Sequence, residues 1–420
     1  MNMKNKVLIV QNYNINKGDT SVIFAMRNSI NRMYPDLELS LTSYDPDKAI
    51  KEYEIDSAEW LIDYRNIKNA KGVLLKVVHL FKELLWVVYS YFWILTYRKV
   101  GKTNRYLPQR KLKTINLYIS ADVIVLPGGH FFTTLNRFPV LFSHYYAMWF
   151  AKKMGKKTMI YAQTIGPFEG NWASVARRLT NSVIKFCDVV AVREEDSLKY
   201  DINNKMVVTA ESVFSNVSLN NNKRALVFFE NEHLNVGITI HHIYYARFFS
   251  RDEYIKKMSF ILNNIIDSYN CNVLFIPMEN FRSGDPGDRI MINDIIKELN
   301  NKSRVRIVEG DLSSKETEQI IASVDIFIGT KTHSIVYGLK NAVPTIAIAY
   351  QEKSNQFMKS FGVLENAINL EGFNEYEFLD IFKRVKSNLP HYSKKEQEAL
   401  KDIVAMAERN NELLYELIKR

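Results

Sequence analysis

Val324-Asp-Ile-Phe-Ile-Gly-Thr-Lys-Thr-His-Ser-Ile-Val-Tyr-Gly-Leu-Lys-Asn-Ala-Val-Pro-Thr-Ile-Ala-Ile-Ala-Tyr350 reads as strand, short polar loop, helix, turn and strand. An apolar run ends at Gly329, a helical segment follows from about Ser334, and Pro344 introduces a second apolar run. Two such runs joined through a helix are the crossover unit of a parallel sheet, whose strands are covered on both faces and so are apolar throughout. The same rhythm recurs at Val7–Val10, Val123–Leu126, Thr158–Tyr161, Val189–Val192, Val236–Ile240 and Val273–Ile276. It predicts an α/β fold of parallel sheets layered with helices.

The series is interrupted once, at Ser218-Leu-Asn-Asn-Asn-Lys-Arg224, which is polar and carries no apolar period. A domain border there divides the chain into 1–218 and 219–420, two Rossmann-like domains. Ligands are then expected in a cleft between them, at the carboxyl ends of the strands. A helical hydrophobic insertion is expected at about 73–113 and C-terminal helices at about 393–420. The chain has 420 residues, 47% of them hydrophobic, which is enough for two ordinary cores. The formal charge of +10 suits anionic ligands or an anionic membrane surface. No zinc-finger, basic-zipper or RNA-recognition signature accompanies it, so nucleic acid is not an expected partner. The two cysteines, Cys187 and Cys271, lie in apolar stretches and read as buried thiols, which excludes a disulfide framework or a cysteine-rich metal site. The amino-terminal residues pass straight into an apolar strand with no signal-peptide pattern, so a cytoplasmic location is expected.

One segment departs from the rhythm. Leu84-Leu-Trp-Val-Val-Tyr-Ser-Tyr-Phe-Trp-Ile-Leu-Thr-Tyr97 is uncharged and is followed by Arg98, Lys99, Lys102 and Arg105. It is shorter than the ~20 residues that span a bilayer. Three readings compete: a buried helix, an oligomer contact, and a helix lying on the inner face of the cell membrane. Aromatic rings at Trp86, Tyr89, Tyr91, Trp93 and Tyr97 beside basic groups favour the last, with Trp86 and Trp93 on the docking face.

Candidate chemistry sits at strand ends. Gly18 and Asp19 follow the first strand and open an amphipathic stretch, Val22–Met33; Asp19 reads as a helix cap or as an anion-site neighbour. Pro127-Gly128-Gly129 and Gln163-Thr-Ile-Gly-Pro167 are glycine-turned strand ends, where backbone can approach a ligand closely. Arg193 follows Val189–Val192 and precedes Glu194-Glu-Asp-Ser197; its planar fork fits a carboxylate or phosphate, and a salt bridge to the adjacent acids is the alternative. Lys331 and His333 stand at a helix start, where free amides favour an anion and an imidazole can move protons near neutral pH.

Taken in order, these segments resemble the polysaccharide pyruvyl transferase family from about Val7 to about Val363. Asn16-Lys-Gly18-Asp19 is similar to the family's N-x-G-D element, Pro127-Gly128-Gly129 to its glycine-rich strand end, and Gln163-Thr-Ile-Gly-Pro167 to Q-x-I-G-P. Val192-Arg193-Glu-Glu-Asp-Ser197 is similar to V-R-x-x-x-S, and Lys331-Thr332-His333 through Pro344, Tyr350 and Lys353 to the R-x-H region with its trailing lysine. The resemblance implies a fold like that of GT-B glycosyltransferases and transfer of the pyruvyl group of phosphoenolpyruvate, without a metal or further cofactor, to a sugar of a cell-surface polysaccharide or its lipid-linked precursor. It implies that Arg193, Lys331 and His333 face the donor, and that Gly18, Gly128, Gly129, Gln163, Thr332 and Lys353 line substrate. Arg193 and Lys331 are expected to clamp it, His333 to transfer the proton, and Asp19 to orient an acceptor hydroxyl. This chain departs at Lys331, where the family shows arginine, and at Glu211, where it shows aspartate. Two other readings share the architecture: a glycosyltransferase using a nucleotide sugar, and a non-catalytic assembly protein of the membrane surface.

Overall fold

The computed structural model describes residues 5–14, 17–62, 70–101, 107–216, 228–229, 232–278, 287–310 and 312–420. Asn16, Lys102, Arg105 and the Ser218–Arg224 stretch lie outside them, as do the surroundings of Gly18, whose backbone falls in the first turn of a helix. The chain divides into two compact units, residues 1–216 with 404–420, and residues 217–403.

In the first unit β1 (Lys6–Asn12), β2 (Glu38–Ser43), β3 (Asp56–Glu59), β4 (Val123–Leu126), β5 (Gly129–Phe132), β6 (Lys157–Ile165), β7 (Val189–Val192) and β8 (Met206–Val208) form one sheet. Its order is β3-β2-β1-β4-β6-β7-β8, with β5 added beside β6, and every pairing is parallel. In the second unit β9 (Asn235–Ile238), β10 (Asn272–Phe275), β11 (Val305–Ile307), β12 (Ile326–Gly329), β13 (Thr345–Ala349) and β14 (Ala367–Asn369) lie in the order β11-β10-β9-β12-β13-β14, again all parallel. Each apolar run read from the sequence is one of these strands. Central strands such as Val-Ile-Val-Leu of β4 are buried on both faces and had to be apolar. The strands not anticipated are short or lie toward sheet edges, such as Asp-Ser-Ala-Glu of β3, where half the residues meet water.

Two expectations are corrected. The C-terminal residues form one helix, Leu389–Lys419, and residues 404–420 belong to the first unit rather than to a 219–420 domain. The reason is an apolar stripe: Leu413, Leu414 and Leu417 pack into the cluster of Val7, Ile9 and Met159. Buried Asn411 is satisfied there, accepting from the Tyr161 hydroxyl at 2.6 Å and donating to Ser29 at 2.7 Å.

The second correction concerns the aromatic segment, which is part of a helix running Val73–Val100. Trp86 and Trp93, expected on a docking face, are each only 4% exposed and belong to the core with Ile94, Phe150 and Ile115. Glu83 shares this buried stripe and is met by Arg110 at 3.1 Å and Lys111 at 3.7 Å. Trp86, Ser90 and Trp93 recur at three- and four-residue spacing, so one face of the helix goes inward together. The opposite face, including Phe81, Leu85, Val88 and Phe92, is exposed. No helix of the described residues is long and apolar enough to cross a membrane.

Candidate functional site

Each sheet gathers polar residues at the carboxyl ends of its central strands. In the first unit the ends of β1, β4, β6 and β7 carry them. The register of β1 slips between Ile9 and Asn12, and that of β6 between Ile160 and Gln163. At both slips a residue other than glycine takes the left-handed conformation, Gln11 at φ 64° and Ala162 at φ 52°. An irregularity of this kind re-aims the side chains that follow, and such strained positions concentrate at functional sites. Gln11 is held by its Nε2, which donates to the Ser143 carbonyl at 2.9 Å, while its buried Oε1 has no hydrogen-bond partner among the described residues. Gln163 donates from Nε2 to the Pro127 carbonyl and likewise leaves Oε1 buried with no partner among the described residues.

Gly128 is required by close approach. A Cβ there would stand 2.9 Å from Glu211 Oε1 and 3.2 Å from the Ala162 carbonyl. A Cβ on Gly129 would meet the Phe131 ring at 2.2 Å. Asp19 is half-buried in the first turn of the Lys17–Met33 helix, so it complements the dipole from inside the helix and is not its cap residue. With Gln11, Asn12, Tyr13, Gly128 and Phe131 it lines a small depression. Beside it Tyr13, Tyr44 and Trp60 form an aromatic cluster with ring centroids 5.1 to 6.4 Å apart.

Arg193 is buried and committed within the fold. Nε donates to Thr164 Oγ1 at 2.7 Å, Nη1 pairs with Glu211, and Glu194 lies 3.5 Å away. The salt-bridge alternative, to the adjacent acids, is met at Glu194 by Nε; Nη1 pairs instead with the distant Glu211, and Nη2 is buried with no hydrogen-bond partner among the described residues. Ser197, the serine of the V-R-x-x-x-S element, accepts from the Ile165 amide at 2.9 Å and donates to Glu194 at 2.8 Å, tying β6 to the turn after β7.

In the second unit Lys331 immediately precedes the Thr332–Lys340 helix, which begins two residues earlier than the sequence suggested. Its buried ammonium donates to Asp288 Oδ2 at 2.9 Å, and Asp288 Oδ1 lies 2.7 Å from His242 Nδ1. His241 is buried beside them, 5.1 Å from the Tyr350 ring. Burial pushes its imidazolium down to about 3, and the Lys331 ammonium adds to the shift. His241 is thus a neutral imidazole at physiological pH. Thr332 is buried between Gln351 Nε2 at 2.8 Å and Ser354 Oγ at 3.0 Å. His333 is half-buried in the first turn of the helix, and the Lys353 ammonium lies 5.6 Å from the Phe357 ring centroid.

The sequence-predicted residues thus fall into two groups, each within its own unit. Asp19, Gly128, Gly129, Gln163 and Arg193 belong to the first; Lys331, Thr332, His333 and Lys353 belong to the second. Sequence reasoning missed His241, His242 and Asp288. The signal for the pair was present, two histidines directly after the run Val236–Ile240, whereas Asp288 adjoins a stretch with no strand pattern.

A family model for polysaccharide pyruvyl transferases matches residues 16–352. The chain belongs to that family. It is therefore a transferase of polysaccharide modification, and the resemblance read from the motifs holds for the family as a whole. The amylovoran biosynthesis protein AmsJ of Erwinia amylovora is 21% identical over 99% of both chains. Among solved structures, the UDP-GlcNAc 2-epimerase of Neisseria meningitidis, solved bound to UDP-GlcNAc, matches with a TM-score of 0.58 at 12% identity over 99% of each chain. A glycosyltransferase of Rickettsia africae matches with a TM-score of 0.59 at 13% identity over 100% of each. These likenesses show the fold, a two-domain α/β architecture of GT-B type, as expected from the sequence.

Proposed function

We propose that this transferase moves the pyruvyl group of phosphoenolpyruvate onto two hydroxyls of one sugar of a polysaccharide or its lipid-linked precursor, forming a cyclic ketal. The observation that carries the reading is the group of Lys331, His241, His242 and Asp288 beside the start of the helix that bears His333. An ammonium and helix amides suit a donor that is both a phosphate and a carboxylate. The neighbouring imidazoles suit a reaction made of proton transfers.

The steps balance with no oxidant or reductant. His333 delivers a proton to the methylene carbon of the donor, which makes C2 electrophilic. One sugar hydroxyl adds to C2 and returns its proton to His333. A second hydroxyl then displaces phosphate from the same carbon, its proton leaving with the phosphate, giving the ketal and inorganic phosphate. Lys331 stabilises charge on the departing phosphate. In the first unit, the polar groups of Gln11 and Asp19 suit an acceptor sugar. Carboxamide and carboxylate groups match hydroxyls, and the rings of Tyr13, Tyr44 and Trp60 match the apolar face of a pyranose. Arg193, buried against Glu211 and Thr164, then serves the site by bracing the strand ends.

Incubation with phosphoenolpyruvate and a panel of oligosaccharide acceptors, followed by mass spectrometry, tests the reading. The expected product carries a pyruvyl ketal and appears with equimolar phosphate. His333→Gln is expected to lower turnover roughly 100-fold while donor affinity changes much less. Transfer from a nucleotide sugar, with none from phosphoenolpyruvate, would sink the proposal.

A further inference from the structure

The chemistry above leaves the outward face of the Val73–Val100 helix unexplained. Leu74, Phe81, Leu85, Val88, Phe92 and Leu95 follow one another at helical spacing on the side opposite Trp86 and Trp93, and all are exposed. Phe81 and Phe92 are 60% and 61% exposed, which is far from the scattered single apolar residues of an ordinary surface. The helix has 28 residues, so the stripe extends over roughly 30 to 40 Å.

We propose that this face docks on an anionic lipid surface, with the helix lying along the membrane rather than through it. Two observations select that occupant. The first is charge. Lys71, Lys76, Lys82, Arg98 and Lys99 are exposed along and beside the helix, and the sole acidic residue between 70 and 101, Glu83, is buried against Arg110 and Lys111. Apolar side chains entering the acyl boundary with basic groups among the phosphates are the pattern of an interfacial helix. A second copy of the chain laid stripe to stripe would instead meet the same basic residues, and the helix offers them no exposed acidic partner.

The second observation is the shape of the exposure. From Val73 to Lys82 every residue but the half-buried His79 is exposed, so the first turns have water around most of their circumference. A facing helix covers one stripe, whereas headgroups and acyl chains surround a helix embedded in them. The helix cannot substitute for a membrane span, since none of the described helices is long and apolar enough to cross. This inference is independent of the donor and of the chemistry proposed for the two strand-end groups.

Sedimentation of the full chain with phosphatidylglycerol–phosphatidylcholine vesicles at low salt is the test. The chain is expected to pellet with these vesicles and to do so much less with phosphatidylcholine alone. Leu85→Glu with Phe92→Glu is expected to lower binding about tenfold or more, because two charges would enter the apolar boundary. Arg98→Glu with Lys99→Glu, at exposed positions that leave the core untouched, is expected to weaken binding to the anionic vesicles and keep the circular dichroism and melting of the parent. That variant decides the matter should the apolar one misfold. A parent chain that stays in the supernatant overturns the inference, as do variants that pellet like the parent. A dimer split by Leu85→Glu with Phe92→Glu, without vesicle binding by the parent, overturns it in favour of a second copy.

Discussion

Arg193 shows how one side chain can serve the fold and a site together. Its pairing with Glu211 is buried, so each charge depends on the other. Removing one member of such a pair leaves an uncompensated charge in a low dielectric, which costs about 3–5 kcal/mol. Arg193→Ala is therefore expected to lower unfolding stability by about that amount in urea denaturation, and Arg193→Ala with Glu211→Gln to recover part of it. A single variant as stable as the parent would mean that the pair contributes little. Lys331 obeys the same logic, since Asp288 neutralises its ammonium and is itself shared with His242. Arginine at this position would add donors to the same carboxylate, so the lysine leaves a more compact cationic group beside the helix start.

At the scale of elements, the Val73–Val100 helix divides sharply by face. Its composition is nearly uniform and apolar, yet one stripe is core and the other is exposed. Trp93 lies with its ring stacked 6.3 Å from Phe150 and 5.2 Å from Tyr97. Trp93→Ala is expected to destabilise the first unit by about 3–5 kcal/mol through the cavity it leaves. Phe92→Ala, one residue away on the open face, is expected to change stability by less than about 0.5 kcal/mol. Chemical denaturation of the two variants separates the faces, and equal losses would contradict the assignment. The turn after β7 is a second case: Ser197 and Thr164 both engage Glu194, so the polar motif there is a brace for strand ends before it is anything else.

For the whole molecule, stability is expected to depend on pH through two buried imidazoles, one in each unit. Burial pushes His144 down to about 4, partly opposed by its bond to the Val140 carbonyl, and His241 down to about 3. Both folded values lie below the ordinary histidine value near 6.5, so between these limits the unfolded chain binds more protons than the folded one. Stability therefore rises with pH in this window; it is complete above about pH 6.5 and is lost as the pH falls toward 4 and then 3. The melting temperature is expected to fall between pH 6.5 and 4.5, and His144→Asn with His241→Asn to flatten that slope. A slope unchanged in the double variant would show that these rings are hydrated.

The sequence by itself determined the sheets, because strands covered on both faces have to be apolar from end to end and runs such as Val123–Leu126 announce it. It also determined the family, because ordered motifs at Gly128, Gln163, Arg193 and His333 survive as local patterns. Tertiary structure alone decided which face of the aromatic helix is core. A stretch apolar all round has no period to read, and only the packing of Trp86 and Trp93 against Phe150 and Ile115 breaks the symmetry. It also decided that the last residues, 404–420, join the first unit, through leucines that share a cluster with Val7 and Ile9, some four hundred residues away in sequence. His241, His242 and Asp288 became neighbours of Lys331 for the same reason. Parallel strands bring together ends that are far apart along the chain, and no local pattern records which ends will meet.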